Sequence, residues 1–182
     1  TTISLSVQKA TGSVEITNDI SKVYDGQPVS AVTYQASSTG KVTVEYKVRG
    51  TYTPTKPSAV GEYTVRVTVA ADDDYNEASA TADFEITYLT TPSDPFQLSG
   101  TEGTGGWYTS NVTITPPEGY TISNTLNGEY SNALTVSASA ENVTIYLKNE
   151  QRQMTNAVLV GEIKIDKDDP TITATGNTTD YL

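Results

Sequence analysis

The chain has 182 residues, with 11 Lys+Arg against 22 Asp+Glu and a formal net charge of −11. A surface of that sign repels phosphate backbones and anionic lipid headgroups, so it argues against nucleic acid or a membrane as partner and suits a soluble monomer. There is no cysteine and no histidine, which removes disulfides, thiol nucleophiles, Cys-ligated zinc and the commonest general base.

The chain opens Thr1-Thr2, without methionine or a signal peptide, and reads as a piece of something longer. No apolar run reaches the ~18 residues a membrane span needs. Residues 1–7 (TTISLSV) read as a first strand or as the remnant of a preceding module. Asp25-Gly26 supplies a tight turn. Alternation then begins. Val42, Val44, Tyr46 and Val48 interleave with Thr43, Glu45 and Lys47. After Val60-Gly61, the apolar set Tyr63, Val65, Val67 and Val69 interleaves with Thr64, Arg66 and Thr68. Asp72-Asp73-Asp74 breaks the chain, and Ala78, Ala80, Ala82, Phe84 and Ile86 form another alternating run. Period two puts one face of each run on a core and the other in water, as half-buried antiparallel strands require.

Residues 88–95 (YLTTPSDP) read as a proline-bearing connector. Alternation resumes with Val112 and Ile114, Tyr120 and Ile122, Leu134 and Val136, then Val143, Ile145 and Leu147, and last Ile163 and Ile165. Gly-rich residues 101–107 and the PPEGY segment at 116–120 are turns or loops. A second junction follows Asp166, with Pro170 punctuating it. The pattern predicts an all-β chain of two Ig-like antiparallel β-sandwich domains in tandem. Their expected bounds are 1–88 and 89–168, with 169–182 a final strand or the start of a truncated third repeat.

VYDGQPV (residues 23–29) and the segment 60–86 resemble the MBG/YDG type of bacterial Ig-like repeat. The residues that carry this are Tyr24, Asp25 and Gly26, then Gly61, Tyr63, Thr64 and Val65, then Tyr75 and Asn76, then Phe84 and Ile86. The second half is similar to another Ig-like repeat of Gram-positive surface proteins, through residues 106–120 and the closing IKIDKDDPTI. The resemblance implies stalk elements of an extracellular, cell-surface protein, whose partners are the neighbouring repeats of the same chain.

Several residues carry sharper alternatives. Asp72, Asp73 and Asp74, and Asp166, Asp168 and Asp169 at the second junction, are calcium candidates, because that ion takes several carboxylate and amide oxygens. A solvated acidic turn at the first group and an exposed polar linker at the second are the favoured accounts, so no cofactor is expected and calcium is the alternative. Tyr108, Tyr120 and Tyr130 are candidates for stacking on a glycan or touching a host matrix protein, while Trp107 is expected in the core of the second module. Lys9 and Lys164 are the lysines an intramolecular isopeptide crosslink would use. No carboxylate pair stands out for glycoside hydrolysis, and no catalytic motif is present. The reading is a non-catalytic structural spacer. Its alternatives are a glycan- or host-protein-binding adhesin module and an accessory domain of a large secreted glycosidase.

Overall fold

A computed structural model describes residues 7–168 of the chain. The expectations for residues 1–6 and 169–182, Asp169 included, lie outside the described residues. Among the described residues there are fourteen strands and no helix, hence no helix long and apolar enough to cross a membrane. They form two compact units. One holds the described residues up to Thr91 together with Lys148–Asn156, and the other holds Pro92–Leu147 together with the described residues from Ala157 onward.

The first unit contains β1 (Val14–Ile16), β2 (Lys22–Val23), β3 (Tyr34–Ala36), β4 (Val42–Val48), β5 (Thr51–Thr53), β6 (Gly61–Val69) and β7 (Ala78–Thr87). β1 and β3 pair antiparallel as a small sheet, and the rest form a five-stranded sheet in the order β2-β7-β6-β4-β5. The β6–β7 ladder runs unbroken from Gly61 opposite Ile86 to Val69 opposite Ala78. That register puts Val65, Val67, Val69, Phe84 and Ile86 in the core and leaves Glu62, Thr64, Arg66 and Thr68 on the other face, as period two demands. β1 lies against β6 and β7 and closes the core from the other side. Phe84 stacks on Tyr63 with ring centroids 5.5 Å apart and meets Tyr46 edge-on at 6.2 Å, so three strands share one aromatic contact. β4 turns into β5 through two residues, Arg49 at φ 51° and Gly50 at φ 87°. Two positive φ values mark the type I′ loop that matches the twist of a hairpin.

The second unit contains β8 (Gln97–Ser99), β9 (Trp107–Tyr108), β10 (Val112–Thr115), β11 (Tyr120–Ser123), β12 (Leu134–Val136), β13 (Ala140–Asn149) and β14 (Val158–Ile165). Its sheets have the orders β12-β10-β8 and β11-β13-β14-β9. Val112 and Ile114 of the first sheet and Ile122, Ile145, Leu147, Ile163 and Ile165 of the second form one buried cluster. The fold is therefore all-β, with two sheets around an apolar core in each unit. Two strand pairs depart from the expected antiparallel pattern. β2 runs parallel to β7, and β9 runs parallel to β14.

Candidate functional site

The acidic loop after β6 is built around one carboxylate. Asp72 Oδ2 accepts hydrogen bonds from the Thr39 amide at 2.7 Å and the Thr39 hydroxyl at 3.2 Å. Its Oδ1 accepts from the amides of Tyr75 at 2.8 Å and Asp74 at 3.0 Å. A carboxylate offers about four lone-pair sites, so the protein's own donors use them all. The amides of Thr39 and then Tyr75 hold the Asp72 carboxyl well below the ordinary carboxylate range. Asp73 and Asp74 stay exposed, and the Asp74 carbonyl accepts the Ala10 amide at 2.8 Å. At the second junction, Asp166 and Asp168 are exposed, and Asp166 Oδ1 accepts the Asp168 amide at 3.0 Å. Among the described residues, no three acidic side chains gather as a set of metal ligands.

The three tyrosines do not form an exposed platform. Tyr108 and Tyr120 are half-buried and pack against the second unit's core. Tyr130 is half-buried, and its hydroxyl donates to the Leu126 carbonyl at 2.8 Å. Trp107, expected in that core, is instead 43% exposed. Alternation explains the correction. In β9 only one of two adjacent residues can face inward, and Tyr108 takes that place. Of the two lysines weighed for a crosslink, Lys9 is exposed and Lys164 forms an ion pair with Glu162 at 3.1 Å.

An open groove of about 700 Å³ runs along the first unit, lined in part by Lys47, Arg49, Glu62, Tyr63, Asp83 and Glu85. The Thr64 hydroxyl donates to Asp83 there at 2.8 Å. The groove mixes both charge signs. Its geometry offers weak polar contact.

The turn at Tyr24, Asp25 and Gly26 is held by several contacts. Tyr24 is buried and meets Tyr88 edge-on with centroids 5.8 Å apart. Asp25 Oδ1 accepts from Lys22 Nζ at 2.5 Å and from the Gln27 amide at 2.9 Å. Partial burial pulls the Asp25 carboxyl upward, but the Lys22 ammonium and the Gln27 amide outweigh it and keep the group below its ordinary value. Gly26 turns the chain at φ 76°, a conformation that costs a residue with a Cβ about 1–2 kcal/mol.

The ends of each unit share one device. Where the first unit is entered, Ala10 bridges Tyr75 in parallel, then Lys22 and Val23 of β2 pair in parallel with Ile86 and Thr87 of β7, the strand by which the chain leaves. The Tyr24 amide extends this to the Thr87 carbonyl at 2.7 Å. In the second unit, Trp107 and Tyr108 of β9 pair in parallel with Lys164 and Ile165 at the end of β14, and the Asp166 amide donates to the Tyr108 carbonyl at 2.9 Å. These pairings leave no signal of their own in the sequence. Alternation marks a strand without naming its partner.

Against known proteins, residues 12–90 match the family described as MBG domain. No curated protein matches the chain. Among solved structures, the fibronectin(III)-like modules of Clostridium thermocellum CbhA align at 12% identity and a TM-score of 0.31, over 90% of this chain and 99% of that one.

Proposed function

We propose that the chain is a load-bearing spacer of an extracellular, surface-displayed bacterial protein, built from Ig-like repeats and without catalytic activity. The observation that carries this reading is the parallel pairing, in each unit, of the second strand with the last. Tension on the two ends of such a pair pulls the strands past each other along their axes. All the hydrogen bonds between them are then strained together. An antiparallel hairpin pulled from its open end yields one bond at a time instead. A stalk module needs the first arrangement. The match of residues 12–90 to the MBG family adds support, as does the packing of Tyr108 and Tyr120 on the core. Tyr130 is half-buried and its hydroxyl bonds a backbone carbonyl, so the glycan-binding reading is the weaker one. Neighbouring repeats of the same chain are the partners this reading implies, with the chain itself a monomer.

Forced unfolding tests it. The chain has no cysteine, so handles attach wherever one is introduced. Handles at positions 21 and 88 load the β2–β7 pair in shear. Handles at positions 49 and 60 peel β4 from β6, whose ladder pairs Lys47 with Thr64 near that end. The first geometry is expected to resist to a clearly higher force than the second. Equal or lower resistance would remove the mechanical reading.

A further inference from the structure

The last two residues of β13 and the loop that follows, Lys148–Asn156, belong to the first unit, and their bonds say why. The tip is held by its own bonds. The Asn149 amide donates to the Gln153 carbonyl at 3.0 Å, the Gln153 amide to Asn149 Oδ1 at 2.9 Å, and the Arg152 amide to the Asn149 carbonyl at 3.0 Å. Lys148 and Met154 face each other as an antiparallel bridge. With the tip fixed this way, the backbone of Met154 points outward from the loop. Its amide donates to the Tyr24 carbonyl at 2.9 Å, and its carbonyl accepts the Leu89 amide at 2.8 Å. Leu89 and Thr155 form a parallel bridge, and Thr155 is fully buried. β2 and β7 end as a bonded pair at Val23 and Thr87. Met154 bonds both continuations, one residue past Val23 and two past Thr87.

We infer that the turn at Tyr24, Asp25 and Gly26, with the chain leaving β7, is a socket for a β-hairpin tip, and that Lys148–Asn156 is its occupant and the first unit's last structural element. The mode is strand addition over two residues, in which main-chain bonds give the attraction. Two features fit it. The Tyr24 carbonyl and the Leu89 amide lie beside the buried Tyr24 and half-buried Tyr88 rings, where an unmade backbone bond is costly. The tip brings a backbone donor, a backbone acceptor and a buried hydroxyl residue in the order the socket needs. This inference is independent of the spacer reading. It would hold for a binding module too.

Residue-resolved amide exchange on the full chain tests it. With the tip seated, the amides of Leu89 and Met154 exchange at least about a hundredfold more slowly than exposed loop amides. Met154→Pro removes the donor to Tyr24 without touching a bond that closes the tip. It is expected to speed exchange at Leu89 and Tyr24 about tenfold, while Met154→Ala, which keeps the amide, leaves both near their original rates. The Ile145 and Ile163 amides serve as controls for the second unit and should be unchanged in either variant. Exchange of Leu89 and Met154 at loop rates in the unaltered chain would overturn the inference, as would Met154→Pro leaving Leu89 unaffected. Should Met154→Pro unfold the chain, the unaltered chain alone decides.

Discussion

Asp72 holds more of the first unit together than its exposed neighbours, because its two oxygens tie the loop after β6 to Thr39, far away in sequence. Calcium bound at this loop would have to displace some of those donors. Thermal unfolding is therefore expected to be the same in millimolar calcium and in chelator, and a clear rise with calcium would revive the metal reading. Acid behaviour gives a second check. The Asp72 pKa in the folded chain lies below its unfolded value, so its contribution is complete above an unfolded pKa of about 3.9 and is lost as pH falls further. Asp72→Asn keeps one carbonyl oxygen for the turn amides but cannot also serve Thr39. Its unfolding midpoint should lie a few degrees below that of the unaltered chain at neutral pH. The gap should narrow steadily below about pH 4. A gap that stays constant through that range would mean the charge on Asp72 does nothing for stability.

At the scale of strands, the long alternations were legible because one buried face per strand leaves a period of two in the sequence. Val65, Val67 and Val69 lie where that period puts them. The Asp25-Gly26 turn was legible for the same kind of reason, since few residues tolerate its backbone. β5 was not legible. It is three residues long, and its turn carries Arg49 where asparagine or aspartate would have announced a hairpin. Trp107 was misplaced because a two-residue strand has no period to read. The seat of Lys148–Asn156 left no local signal at all, since its socket lies at Tyr24 and Leu89. Register also exposes a conflict that composition hides. Glu62 of β6 lies directly opposite Glu85 of β7, both exposed. Like charges at such positions repel, and an opposite pair contributes about 0.2–1 kcal/mol. Glu62→Lys should therefore raise the stability of the first unit by about that amount in urea unfolding. Glu62→Gln should give part of the gain. A loss in both variants would mean that Glu62 has a favourable partner which the register does not reveal.

For the molecule as a whole, the balance between attraction and repulsion among charges decides how salt acts. The pairs Lys22–Asp25, Arg66–Glu45 and Lys164–Glu162 are weakened by added salt. Each is partly exposed, and such pairs contribute about 0–1 kcal/mol. Against them stand 22 acidic side chains and only 11 basic ones. The excess of carboxylates gives a net self-repulsion that opposes the folded state. Screening over a Debye length of about 8 Å at physiological ionic strength reduces the repulsion more than it costs the few pairs. Raising sodium chloride from near zero to about that ionic strength should accordingly raise the unfolding midpoint at pH 7. The effect should vanish near the sequence pI of about 4.3, where the net charge passes through zero. It should return at still lower pH, where 11 cations remain with the carboxylates neutralised. Calorimetry at three pH values with and without salt checks the whole pattern. A midpoint that falls with salt at pH 7 would mean that local ion pairs, rather than the excess of acid, govern the electrostatics of this chain.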